Sequence, residues 1–286
     1  MSKAKYIVAI NLFGHYQPLV NRAISIAKVF DHELEVACIV DFAQDLSSEV
    51  VSFQQAFERQ AKEYLNRQCQ IFKEDYPQLS EKLHIIKLHA LKNPVDYLSQ
   101  FIHEHNISTL IIGAHDYHSF ELLYDSLPAD ILYELPCNIL SLQQTKSSPQ
   151  YNKILVATDL KGDNSKIGAL SHDIARHYNA EVSVVVVHDF IAELINIVDF
   201  SAEPKDDKSK LISHIHDWMN KYDFHGQVHF QKGRAASQIM QTAKQFNYDL
   251  IVLARHHKGF FNTLLTGSTT RAVLNHASTD VMIQKL

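Results

Sequence analysis

Glu181-Val-Ser-Val-Val-Val-Val187 decides the fold. Five of these seven residues are valine, and polar and apolar positions do not alternate along the run. A strand with one wet face alternates. A strand buried on both faces reads as a continuous β-branched run, the pattern of a parallel sheet covered by helices. Upstream, Lys153–Thr158 is another apolar strand, and Ser165–Tyr178 places Ile167, Leu170, Ile174 and Ala175 on one helical face. Downstream, Asp207–Tyr222 reads as helix and Val228–Gln231 as strand. Ala235–Phe246 is again helical, Leu250–Ala254 a strand, Thr270–His276 a helix and Val281–Gln284 a last strand. Strands alternating with helices predict an α/β fold with a parallel sheet and helices on both faces.

The first half of the chain says the same thing. Tyr6–Leu12 (YIVAINL) matches Lys153–Leu160 (KILVATDL), and Ile39–Phe42 (IVDF) matches Val187–Phe190 (VHDF). Asp159 lies 148 residues after Asn11, and Asp189 the same distance after Asp41. Thr109–His115 (TLIIGAH) matches Leu250–His256 (LIVLARH). LLYDSLPADIL at Leu122–Leu132 then matches LLTGSTTRAVL at Leu264–Leu274. The predicted elements of this copy are Ile7–Ile10, Leu19–Phe30, Glu33–Val40, Ser47–Phe72, His84–Lys87, Val95–His105, Thr109–Gly113, Leu127–Glu134 and Asn138–Leu142. Gln143–Asn152 is polar, lacks apolar period and contains a proline, as a linker does. Two domains follow, residues 1–144 and 151–286.

The 286 residues suffice for two domains of about 140 each. Apolar residues make up 46% and charged residues 21%, and no apolar run approaches the roughly 20 residues needed to span a bilayer. The N-terminal stretch leads straight into a strand and lacks the features of a signal peptide. A net charge of −5 gives no reason to expect a nucleic-acid or anionic-membrane surface. Three cysteines, Cys38, Cys69 and Cys137, are expected as buried free thiols in a reducing cytoplasm.

After the strand Leu250–Ala254 come Arg255-His-His-Lys258 and then Gly267-Ser268-Thr269-Thr270 before a helix. A glycine lets backbone N–H groups approach an anion, hydroxyls add donors, and a helix start brings unpaired N–H groups and a positive dipole end. The same residues also read as an ordinary N-cap. Arg255–Lys258 reads either as a phosphate-contacting run or as a solvated loop.

The order of elements, the Asp after the first strand of the second copy and this late Gly-Ser turn together resemble the universal stress protein family in its tandem form. The resemblance spans essentially the whole chain. It implies two five-stranded parallel-sheet domains of strand order 3-2-1-4-5, flavodoxin-like. The family's ATP-binding members carry G-x2-G-x9-G-[ST], an acid ending the first strand, and a valine whose backbone holds adenine. On this chain the resemblance puts Asp159 at the acid, Val187 at the adenine contact, and Gly267 and Ser268 at the final G-[ST], with Thr269 in the same turn. Ala254 and His257 stand where the first two glycines would be. In the first copy Asn11 replaces the acid, Gly113 is kept, Asp116 adjoins the second glycine place and Asp125 stands opposite Gly267. An acid there repels a triphosphate and can itself cap the helix, with Pro128 in its first turn. ATP is therefore expected in the second domain and not in the first.

Other constellations are weaker. His214 and His216, at i and i+2 on a helix, point about 200° apart and chelate poorly. His256 and His257 would need a distant partner such as His225 or His229. No H-E-x-x-H, paired-Cys, nucleophile-elbow or Walker A motif is present, so no metal centre and no catalytic residue is expected. Asp41 and Asp189 read as loop or cap residues. Trp218 with Leu211 and Ile215 forms a core stripe. Val51, Phe53, Phe57, Tyr64 and Leu65 line the long helix of the first copy as core, or beside an apolar ligand. The reading is a cytoplasmic stress-response binding or regulatory protein with a nucleotide or small-molecule ligand. Its alternatives are a slow ATPase, or a protein that binds an apolar ligand or a partner surface. By the resemblance, the last strands of the two domains pair antiparallel as an internal pseudo-dimer, which can dimerise again.

Overall fold

The computed structural model describes residues 4–40, 51–87, 94–114, 134–143, 150–158, 164–188, 205–254 and 267–285. The chain divides into two units, residues 1–137 with 143–148, and residues 138–142 with 149–286. The first unit holds β1 (Lys5–Ile10), α1 (Gln17–Val29), β2 (Glu33–Val40), α2 (Val51–Asp75), a 3-10 turn at Pro77–Lys82, β3 (Leu83–Lys87), α3 (Pro94–Glu104) and β4 (Ile107–Gly113). Its strands run parallel in the order β3-β2-β1-β4.

The second unit begins with a strand taken from the first copy, β5 (Asn138–Leu142). There follow β6 (Lys153–Ala157), α4 (Ser165–Tyr178), β7 (Glu181–His188), α5 (Lys205–Lys221), β8 (Val228–Lys232), α6 (Ala235–Gln245), β9 (Leu250–Ala254), α7 (Gly267–His276) and β10 (Asp280–Gln284). The strand order is β5-β10-β9-β6-β7-β8. Apart from β5 it is the expected 3-2-1-4-5 succession, all parallel. β5 runs antiparallel to β10, with Ile139 opposite Ile283 and Ser141 opposite Val281. An uncovered β10 would present a row of unpaired N–H and C=O groups, and β5 satisfies one side of it. This α/β fold, mostly parallel with one antiparallel strand, is the class predicted from the valine run. Val182, Val184, Val185, Val186 and Val187 are all buried.

The repeat is visible in the backbone as well as in the sequence. Asp31 (φ 51°) and Asn179 (φ 52°) follow α1 and α4 at the 148-residue offset, and Asn106 (φ 54°) and Asn247 (φ 55°) follow α3 and α6. These are left-handed positions at helix ends, where Asn and Asp are the non-glycine residues best tolerated. The helix exits were thus inherited by both copies.

Of the cysteines, Cys38 and Cys137 are buried and Cys69 is half-buried; none of the three is in a disulfide. Burial pushes the Cys38 thiol up to about 12, so it stays protonated and unreactive. Among the described residues no helix is long and apolar enough to cross a membrane.

At the amino-terminal ends of the second unit's strands, buried His229 of β8 meets the Tyr248 hydroxyl at 2.7 Å. Ser183 hydrogen-bonds to Tyr248 in turn, and the Ser183 Oγ accepts the Gln227 N–H at 2.9 Å. Burial holds the His229 ring below its usual value of 6.5. The unfolded chain therefore binds a proton that the folded unit refuses, and stability falls as pH drops below about 6.5. His229→Gln keeps an acceptor and removes the titration. Between pH 7.5 and 5.5 the variant is expected to lose less stability than the parent in urea unfolding followed by Trp218 fluorescence. Equal losses would show that His229 does not carry the effect.

Candidate functional site

In the second unit the chain leaves β6 toward β7 on one side, and later places β9 on the other. The carboxyl ends of β6 and β9 flank the point where the strand order reverses. Open α/β sheets bind ligands in the crevice outside such a switch point.

β6 ends at Ala157. The next residue, Thr158, is buried, and its N–H donates to the Val185 carbonyl at 3.2 Å. Its hydroxyl donates to Asn164 Oδ1 at 2.8 Å. That bond ties the end of the strand to the residue just before α4. Asp159 itself lies outside the described residues, as do His257 and the rest of Arg255–Lys258. Val187 is buried on β7, opposite Gln231 of β8, and Ala254 is the buried last residue of β9, opposite Gln284 of β10. Val187 and Ala254 therefore sit on the two strands that neighbour β6.

The helix α7 begins at Gly267, three residues earlier than the sequence pattern predicts. Gly267, Ser268 and Thr269 therefore form its first turn rather than a loop before it. Helix propensity argues against Gly, Ser and Thr inside a helix. In the first turn, however, the N–H groups have no intrahelical partner to lose. Ser268 is exposed, Thr269 is buried and Thr270 is fully buried. The Thr270 Oγ1 has no hydrogen-bond partner. A first turn of Gly-Ser-Thr-Thr at the carboxyl edge of the sheet brings N–H donors, hydroxyls and the positive dipole end together, the elements of an anion cradle.

The first unit differs at the corresponding place. Asn11, one residue past β1, is buried; its Oδ1 accepts the Phe13 N–H at 2.9 Å and its carbonyl accepts the Gly14 N–H at 3.1 Å. The side chain in the acid's place is used to turn the chain. Phe13, exposed, stacks on exposed Tyr64 of α2 with centroids 5.3 Å apart. Leu65, the next residue, is buried as expected. Gly113 ends β4. Asp116, Asp125 and Pro128 lie outside the described residues, as do Asp41 and Asp189 and the side chains of Val51, Phe53, Phe57 and Leu211.

Among the remaining sequence candidates, His214 and His216 are exposed on either side of buried Ile215. Trp218 is buried, edge-on to Tyr222 and Phe224, as a core residue is. His225 pairs at the surface with Asp223 at 3.0 Å. Sequence reading missed the Thr158–Asn164 tie, although a Thr ending a strand and an Asn just before a predicted helix are the residue types that make one.

The model of the universal stress protein family matches residues 150–285. A solved universal stress protein from Archaeoglobus fulgidus DSM 4304 is similar at 14% identity and TM-score 0.65, covering 98% of this chain and 96% of its own. A functionally unknown protein from Pseudomonas aeruginosa PAO1 is similar at 17% identity and TM-score 0.62, covering 99% of this chain and 93% of its own. No curated protein matches the sequence significantly. Residues 150–285 belong to the universal stress protein family, and the whole chain carries that family's fold in a tandem two-domain arrangement.

Proposed function

We propose that the chain is a cytoplasmic stress-response binding and regulatory protein whose second unit takes ATP or a related nucleotide. The pocket is drawn from Asp159, Val187, Ala254, His257, Gly267, Ser268 and Thr269, at the switch point between β6 and β9. The observation that carries this reading is the start of α7 at Gly267, which turns a Gly-Ser-Thr-Thr run into the first turn of a helix. Phosphate oxygens there accept N–H and hydroxyl donors. Adenine lies along the backbone near Val187, and the Asp159 carboxylate takes the ribose hydroxyls. The first unit does not bind nucleotide in this way, because Asn11 lacks the charge and its Oδ1 is committed to the Phe13 N–H. The pairing of β5 with β10 is read as the internal pseudo-dimer, and a homodimer as its further assembly.

Calorimetric titration of the full chain with ATP tests the reading. The parent binds one equivalent. Gly267→Asp places a carboxylate at the head of α7, where it fills the cradle and repels the triphosphate while still capping the helix. The variant is expected to keep its circular dichroism and to lose binding by at least about 100-fold, roughly 2.7 kcal/mol. A parent that does not bind, or a variant that binds equally well, overturns the assignment.

A further inference from the structure

Glu35 of β2 is a buried acid within the apolar run Leu34–Val40 of that strand. Its Oε2 lies 2.9 Å from His84 Nε2 and 2.9 Å from His105 Nδ1. Its Oε1 accepts the Lys5 ammonium at 2.9 Å. One potential ligand atom from each of Glu35, His84 and His105 lies within 4.8 Å of the other two. The imidazoles stand 4.7 Å apart at 81°, and Phe101 stacks flat on His105 at 4.1 Å and edge-on to His84 at 5.1 Å. The rings are thus oriented before anything binds. Both histidine side chains remain about a quarter exposed, at 25% and 29%, so the cluster opens to solvent.

All four residues lie at the amino-terminal ends of the first unit's strands: Lys5 starts β1, Glu35 and His84 lie near the starts of β2 and β3, and His105 just precedes β4. The fold does not require this charge set. In the second unit His229 occupies the strand position of His84: it pairs with Val185, as His84 pairs with Ala37, and Val185 and Ala37 are 148 residues apart. Ser183 stands for Glu35 at the same offset. Phe246, just before left-handed Asn247, stands for His105 before Asn106. The second unit thus builds the same edge with one histidine, a serine and a phenylalanine, and Phe246 packs on His229 at 4.5 Å. Among the described residues only the first unit assembles two imidazoles on one carboxylate.

We propose that Glu35, His84 and His105 bind a divalent transition metal ion of the zinc class. Two imidazole nitrogens and one carboxylate oxygen form a donor set that such ions prefer and that magnesium and calcium do not. Metal–ligand bonds of about 2.0–2.1 Å in a tetrahedron place donor atoms about 3.3 Å apart. The two 2.9 Å separations therefore open by a few tenths of an ångström as the ion replaces the two hydrogen-bonding protons. Three protein ligands leave a fourth position for water. The Lys5 hydrogen bond to the second oxygen orients the carboxylate from the outer shell, and its positive charge moderates affinity.

Metal-stripped full-length protein is titrated with Co²⁺ by visible absorption and with Zn²⁺ by calorimetry. One tight equivalent is expected, with the Co²⁺ bands of a four-coordinate site, together with a Zn²⁺-dependent rise in melting temperature. Glu35→Gln, His84→Gln and His105→Gln each weaken binding by at least about 100-fold and abolish those bands. His105→Gln changes a partly exposed side chain and keeps the test sound if Glu35→Gln fails to fold. The surface double variant His214→Gln/His216→Gln titrates like the parent. A parent that takes up only weak, multiple equivalents, or cluster variants that bind like the parent, overturns the proposal.

Discussion

Phe72→Ala is expected to destabilise the first unit by about 3–5 kcal/mol, the range for truncating a fully buried phenylalanine. Phe72 is fully buried near the end of α2, with Tyr16 at 5.6 Å and Tyr76 at 5.1 Å between ring centroids. Tyr76 hydroxyl lies 3.2 Å from Asn21 Oδ1, and Tyr16 lies just before α1. The three rings therefore hold the end of α2 against the start of α1. Truncation removes apolar burial, leaves a cavity that two rigid rings cannot collapse into, and takes away aromatic pairs worth about 0.5–1.5 kcal/mol each. Phe72→Leu keeps most of the volume and is expected to cost about 1–2 kcal/mol. Urea unfolding followed by far-ultraviolet circular dichroism measures both. A Phe72→Ala loss below about 1 kcal/mol would mean that the triad does not anchor the helix.

What the sequence revealed and what it hid follow from how far apart the relevant residues lie. The α/β class and the succession of strands and helices were legible because their signals are local: a valine run, helical faces and a 148-residue repeat; the strand order came only with the family resemblance. Gly267 and Ser268 were legible for the same reason, being neighbours in one turn. Their place inside α7 was not, since propensity treats Gly-Ser-Thr as a helix breaker and only the missing partners of a first turn make it tolerable. Glu35 is 49 residues from His84 and 70 from His105. No motif spacing joins them; the crossing of parallel strands does. One signal was present: a glutamate inside the apolar run Leu34-Glu-Val-Ala-Cys38 had to find partners, because burying a lone carboxylate is prohibitive.

Gly226→Ala is expected to cost the second unit about 3 kcal/mol or more, far beyond an ordinary loop substitution. The chain at Gly226 lies against the start of β7. A Cβ there would fall inside the contact distance of the Ser183 Oγ and the Val182 carbonyl oxygen, and 2.7 Å from the Val182 carbonyl carbon. Two of those obstacles are strand backbone, which cannot swing aside. Relief requires the turn to move. The turn carries the Gly226 N–H bond to Val182 at 2.9 Å, the Gln227 N–H bond to Ser183 at 2.9 Å and the Val184 N–H bond to Gln227 at 2.9 Å. Each is worth about 1 kcal/mol, and a displaced partner left buried costs more. The same displacement would disturb the start of β8 and with it the contact of His229 with Tyr248. Gly168→Ala in α4 is the contrasting case. There the atoms nearest the added Cβ belong to the half-buried Tyr222 ring, a side chain rather than strand backbone, which can yield by a small shift against Trp218 and Phe224, and alanine also favours the helix by about 1 kcal/mol. Gly168→Ala should therefore sit within about 1 kcal/mol of the parent, while Gly226→Ala shifts the Trp218 unfolding midpoint sharply downward. Similar costs for the two substitutions would show that the close approach of backbone to backbone at Gly226 does not govern the fit of this turn.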